Sequence, residues 1–182
     1  MKNNKWKTVS EKSIGDFRIF NMREVTAKSP RTGKDHPFIV LDGNDWINII
    51  ALTPENDIVL VKQYRFGTSK YELEIPGGVI ENGEDPLDAG IRELKEETGY
   101  AGNNPTYLGH IDPNPAFQAN TCHTILIKNC QKVDEQKLDP GEDIQVEVAS
   151  IQDVKNFIDK GKIRHSLVIS AFRLYDILKK SS

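Results

Sequence analysis

Four of the five glutamates in the 23 residues from Gly78 to Tyr100, GVIENGEDPLDAGIRELKEETGY, are Glu84, Glu93, Glu96 and Glu97. Read as a helix from Asp85 to Thr98, the stretch puts Glu93 and Glu97 at i,i+4 and Glu93 and Glu96 at i,i+3, all on one face. Like charges at these spacings oppose an exposed helix by about 0.2–0.5 kcal/mol per pair, and a half-buried one by more. Three carboxylates kept together against that repulsion call for a divalent cation. The stretch contains no His or Cys. Its ligands are therefore oxygens, which favours Mg2+, with Mn2+ as a substitute, over zinc.

Glycines frame the acidic face. Pro76, Gly77 and Gly78 permit a close backbone approach before the helix, and Gly99 stands where a left-handed residue ends one. The full pattern is Gly78, five residues, Glu84, seven residues, Arg92-Glu93-Leu94, one residue, Glu96-Glu97, one residue, Gly99-Tyr100. At every fixed position it resembles the Nudix box, G-x5-E-x7-R-E-U-x-E-E-x-G-U, where U is apolar. The resemblance implies an α/β (α+β) fold, the Nudix α/β/α sandwich with a mixed β-sheet, and metal-dependent hydrolysis of a diphosphate. It implies Glu93 and Glu97 as metal ligands, joined by Glu96 when more than one ion binds and by the main-chain carbonyl of Gly77. Arg92 matches a position that braces the loop and orients the ligand glutamates. Glu84 matches one that either braces or touches the metal. Leu87, Ile91 and Leu94 are expected on the buried side of the helix.

Outside the box, VLVKQYRFG followed by YELEIPGG is similar to a segment of the ADP-ribose and nucleoside-diphosphate-sugar pyrophosphatase branch. That likeness implies Arg65 near the phosphates and Glu74 at the site. Members of the branch carry a proline some fifteen residues past the box, and Pro115 stands fifteen after Tyr100. Many ADP-ribose enzymes have Ser-Pro-Gly there, whereas this chain has Asn114-Pro115-Ala116 with Phe117 following. The departure widens the expected substrates to other nucleoside-diphosphate sugars, GDP-mannose included. Gly141-Glu142-Asp143-Ile144 matches a late loop whose glutamate serves in the metal site or as general base, so Glu142 is the candidate and Glu147 its competitor. The branch also implies a homodimer whose N-terminal β region crosses to the partner and brings an aromatic toward the base; Trp6, Phe17, Phe20 and Trp46 are available.

Holding these residues requires strands around the helix. Alternating or continuous apolar runs predict strands in FRIFNMREVTAK, HPFIVLDG, WINIIALT, IVLVKQYR, TSKYELEIP, TYLGHI, TCHTILIKN and IQVEVAS. Gly102-Asn103-Asn104-Pro105 reads as a break, DPNPAFQAN and VDEQKLDPGED as loops. Helices are expected over 85–98, 152–160 and 166–180, the last with apolar residues at 167, 168, 171, 174, 177 and 178. Two regions result: a β-rich N-terminal region, 1–43, for dimerisation, and a hydrolase domain, 44–182.

Composition narrows the function classes. At 37% hydrophobic and 28% charged residues, with no apolar run near 18, nothing reads as a membrane span. A net charge of −3 offers no general attraction to nucleic acid. The polar start MKNNKWKTVS lacks an apolar signal segment, so the expected location is cytoplasmic. Cys122 and Cys130, on one extended segment, would lie about 26 Å apart. A disulfide needs Cα atoms within about 7 Å, so both are expected as reduced thiols. The leading expectation is a pyrophosphatase of nucleoside-diphosphate sugars, converting ADP-ribose to AMP and ribose 5-phosphate. The alternatives are an NTP or dinucleotide-polyphosphate hydrolase, and a nucleotide sensor without turnover. The complete set of box glutamates weighs against the sensor.

Overall fold

The computed structural model describes residues 5–181. Its backbone forms two compact units, one of Met1–Asn44 with Asp112–Thr121, the other of Asp45–Ile111 with Cys122–Ser182.

The first unit is built on an antiparallel sheet of β1 (Lys7–Asp16), β2 (Asn21–Lys28) and β3 (Asp35–Asp42), in that order. The expected strand beginning FRIF is corrected here. Phe17 to Phe20 form a turn, with Arg18 at φ 67° and the two phenyl rings stacked 5.4 Å apart. β1 was not legible in the polar N-terminal stretch, because almost every residue of it is exposed and no buried face imposes alternation. The segment 112–121 is stitched to β3: Leu41 donates its N–H to Phe117 O and accepts one from Ala119.

The second unit holds β4 (Trp46–Ala51), β5 (Ile58–Arg65), β6 (Lys70–Glu74), β7 (Gly77–Val79), α1 (Pro86–Thr98), β8 (Tyr100–Ile111), β9 (Cys122–Lys132), β10 (Ile144–Ala149), α2 (Ile151–Asp159) and α3 (Ser166–Ser181). β7-β4-β9-β8 make a mixed sheet in which only β4 and β9 run parallel, and β10-β5-β6 make an antiparallel one. The expected break at Gly102–Pro105 is instead part of β8. Register shifts between Ala101 and Thr106 absorb Pro105 and the left-handed Asn104 without ending the strand.

Alternate residues of the central strands feed two cores. Ile50, Leu52, Leu60, Leu73 and Leu126 pack with Val154 of α2 and Val168, Ala171, Phe172 and Tyr175 of α3. Ile47, Ile49, Val59, Ile125 and Ile127 pack with Ala89 and Leu94 of α1. Helices thus cover opposite faces of the strands, the sandwich arrangement expected. On α1 the buried line runs through Ala89, Gly90 and Leu94, with Leu87 partly buried, and the expected core residue Ile91 is exposed. Gly90 explains the rotation: a Cβ there would overlap Ile125 Cδ1, so its absence lets the helix backbone settle directly on the sheet.

Cys122 and Cys130 are free and buried. Burial, aided by Asp45, pushes the Cys122 thiol up to about 12, and burial pushes Cys130 up to about 11 despite a hydrogen bond with Leu52. Both are inert core residues.

The Gly90 contact can be tested. Gly90→Ala gains about 1 kcal/mol in helix propensity but overpacks the interface by about 1–3 kcal/mol. A lower melting temperature for Gly90→Ala, partly recovered by adding Ile125→Val, is the expected result in thermal unfolding; a more stable Gly90→Ala would refute the close approach.

Candidate active site

The acidic helix is started and stopped by its own residues. Asp85 adopts extended φ/ψ and accepts a hydrogen bond from Leu87 N at 2.8 Å, and Pro86 occupies the first turn, where its missing N–H is harmless. Gly99, at φ 72°, closes the helix by donating to Lys95 O. A Cβ at Gly99 would also strike Asp134 O, so the loop after β9 packs tightly on this end.

Arg92 organises the carboxylates. Its Nε and Nη2 each donate to Glu84, at 2.9 Å, and Nη1 donates to Glu93 Oε1 at 2.9 Å and to Glu96 Oε2 at 3.0 Å. Nη2 also reaches Val79 O, joining β7 to the helix. Hydrogen bonding from Arg92 holds the Glu84 carboxyl below its usual range against a small opposing effect of burial. Glu84 also accepts from Glu81 N, so here it braces the loop.

Glu97 is the buried member of the set. Its Oε2 accepts the Gly77 N–H at 3.0 Å. Burial, with the charges of Glu93 and Glu142 added, pushes its carboxyl up to about 8 despite Gly77 and Arg65. Burial likewise raises Glu93, with Arg92 opposing and Glu96 and Glu142 reinforcing. Glu93 lies against the backbone at Gly78, where any Cβ would occupy the position of its carboxyl group. These observations decide whether a divalent ion suits the residues. Among the described residues no three acidic or imidazole side chains already form a coordination shell, because Glu93 and Glu96 are turned onto Arg92. The donors are nonetheless all carboxylate or carbonyl oxygen, and buried Glu97 resists ionisation until a positive charge compensates it. A hard divalent cation fits that chemistry.

Across from this cluster, Glu74 of β6 has a side chain only 4% exposed and receives Arg65 in a fork, Nε to Oε1 and Nη2 to Oε2, both at 2.8 Å. His165 Nδ1 is 3.0 Å from the same Oε2. Burial would raise Glu74, but hydrogen bonds and charge from Arg65 and His165 outweigh it and bring the carboxyl down to about 2. Glu97 and Glu142 both act on the Arg65 charge, so the fork lies within the field of the acidic cluster. Arg65 Nη1 makes no hydrogen bond to the described residues. The arrangement offers one unspent guanidinium nitrogen next to several carboxylates, as a metal-assisted phosphate site requires.

Glu142 stands in the loop before β10, its carboxylate accepting from Asp139 N at 2.9 Å. It acts on both Glu93 and Glu97, whereas Glu147 is exposed on β10, paired opposite Leu60. Gln136 anchors the root of that loop: its Nε2 donates to Glu97 O at 2.6 Å and to Ile144 O at 3.0 Å. Pro115 and Phe117 belong to the other compact unit, in the segment stitched to β3. The structure therefore gathers Arg65, Glu74, Gly77, Glu84, Arg92, Glu93, Glu96, Glu97 and Glu142 in one unit. His165 and Gln136 carried no signal in the sequence, since their roles depend on which strands come together.

Known proteins resemble this chain in sequence and fold. The sequence profile of the NUDIX domain matches residues 46–172. An ADP-ribose pyrophosphatase of Bacillus subtilis is 26% identical over 164 residues, 90% of this chain and 88% of that protein. A methanol dehydrogenase activator of Bacillus methanolicus is 29% identical over 166 residues, 91% of this chain and 89% of its own. A crystal structure of an ADP compounds hydrolase superposes with a TM-score of 0.86 over 97% of this chain and 95% of that one, at 20% identity, a likeness of fold. With the box complete and the profile spanning most of the chain, the protein belongs to the NUDIX domain family.

Proposed function

We propose that this protein hydrolyses the pyrophosphate bond of nucleoside-diphosphate sugars, taking ADP-ribose and water to AMP and ribose 5-phosphate, with Mg2+ as its ion. The observation that carries the reading is the Arg65 fork on Glu74 lying in the field of the acidic helix. It supplies a phosphate-binding cation beside an oxygen-ligand metal set. ADP-ribose pyrophosphatases among the relatives support the substrate class.

Each residue has a definite task in this scheme. Glu93, Glu97 and the Gly77 carbonyl, with Glu96 where a second ion binds, would hold the cation, which when bound would lower the pKa of water and offset phosphate charge. Arg92 holds Glu93 and Glu96 in one place beforehand. Arg65 Nη1 donates to a phosphate oxygen. Glu142 takes one proton from the attacking water as its oxygen bonds to phosphorus. The bridging P–O bond breaks, and its oxygen leaves on the other product. Attack at either phosphorus gives the same two compounds.

We further propose a cytoplasmic homodimer formed through the N-terminal β region, 1–43. Support comes from Trp6, Phe17, Ile19, Phe38 and Ile39, large apolar side chains left exposed on one small unit. Two free cysteines suit a reducing compartment.

Incubation with Mg2+ and a panel of ADP-ribose, GDP-mannose, UDP-glucose, diadenosine polyphosphates and NTPs should give nucleoside monophosphate and sugar phosphate from the sugar nucleotides. Activity confined to NTPs would refute the substrate class, and a monomeric mass of 20.5 kDa by light scattering would refute the dimer. Glu97→Gln should lower turnover by about three orders of magnitude. It should also alter the pH dependence of stability. The folded Glu97 carboxyl sits near 8 against an ordinary value of 4.5, so its contribution is complete below 4.5 and fades as pH rises through 8. The metal-free protein should melt lower at pH 8.5 than at pH 6, and Glu97→Gln should flatten that difference; an equal slope in both proteins would count against buried, protonated Glu97. Finally, Glu142→Gln should reduce kcat by about 10²–10⁴-fold, while Glu147→Gln leaves it unchanged. The reverse order would move the base to β10.

A further inference from the structure

We propose that His165 is a positioning residue for the substrate diphosphate: by donating Nδ1–H to Glu74 it fixes the carboxylate that presents Arg65 Nη1 to phosphate. The proposal rests on the reading of Arg65 as a phosphate ligand.

The geometry assigns the proton. Glu74 is ionised and can only accept, so His165 Nδ1 must donate across the 3.0 Å contact. A carboxylate has about four lone-pair directions. On Glu74, Oε1 takes Arg65 Nε, while Oε2 takes both Arg65 Nη2 and His165 Nδ1. The last torsion of a glutamate is broad, and a single guanidinium can rotate together with it. A second donor from a different element removes that freedom.

His165 is itself held from both sides. Ile163, two residues earlier, is buried in the core of α2 and α3. Leu167, two residues later, has its carbonyl bound by Asn48 Nδ2 of β4 at 3.1 Å. His165 O accepts from Ile169 N as α3 begins. The imidazole is therefore placed by backbone, and its side chain remains 38% exposed. Arg65, at 42%, is the more exposed member of its pair with Glu74. It is also drawn toward Glu97 and Glu142, whose charges act on it. Without His165, Glu74 loses its fixed plane and Arg65 Nη1 is no longer held in one direction to meet the phosphate.

The test is steady-state hydrolysis of ADP-ribose with Mg2+ by the full chain and by His165→Ala, His165→Asn, Arg65→Ala and the double variant Arg65→Ala/His165→Ala. Melting temperatures establish that each is folded. His165→Ala should raise KM about tenfold with kcat within about twofold, the scale of one hydrogen bond to a charged group. His165→Asn, which keeps an N–H donor, should restore KM to within about threefold. Arg65→Ala should raise KM further, and the double variant should match Arg65→Ala alone, because His165 acts through Arg65. A wild-type KM in His165→Ala, no rescue by Asn, or a full tenfold effect persisting in the Arg65→Ala background would overturn the role of His165. An unchanged KM in Arg65→Ala would instead overturn the phosphate reading on which it rests.

Discussion

One guanidinium gathers the acidic face of this protein. Arg92 spends its donors on Glu84, Glu93, Glu96 and the Val79 carbonyl, tying the loop, the short strand β7 and the helix α1 into one rigid piece. Repulsion among the carboxylates would otherwise spread them, since charges a few ångströms apart in a half-buried setting interact by several kcal/mol. Hydrogen bonding to Glu84 and the neighbouring glutamates keeps Arg92 protonated well above its ordinary range, against the effect of burial. Glu97 lies outside this grip, and burial pushes its carboxyl up to about 8.

The two halves of the site follow different electrostatic logic. Around Arg92 and Glu97 there are more acids than bases, so the cluster is incomplete without added positive charge. Around Glu74 the balance is reversed: a single buried carboxylate is shared by Arg65 and His165. A carboxylate-rich face and a guanidinium seated on one buried carboxylate therefore stand within each other's field.

Much of this was legible in the sequence because it is local. The helix ends, the shared face of Glu93, Glu96 and Glu97, and the stop at Gly99 depend on residues a few positions apart. What was illegible depends on tertiary placement. Ile91 fits the apolar spacing of α1, yet the contact of Gly90 with Ile125 turns the helix and leaves it in solvent. β1 lacks a buried face to mark it, and Gly102–Pro105, which reads as a break, is carried by irregular pairing with β9. His165 meets Glu74 across 91 positions of chain, a distance no spacing rule spans.

Gln136 has a consequence for how such a site can change. By bonding Glu97 O and Ile144 O with one amide nitrogen, it pins the two ends of the Glu142 loop to the acidic helix and to β10. The backbone N–H of Lys137 adds a bond to Glu96 O. The exposed stretch between those pins carries Glu142, so its reach is set by a loop closed at both ends. Closing a loop at both ends cuts the conformations open to the chain between them, so backbone rather than side chain keeps Glu142 within the field of Glu93 and Glu97.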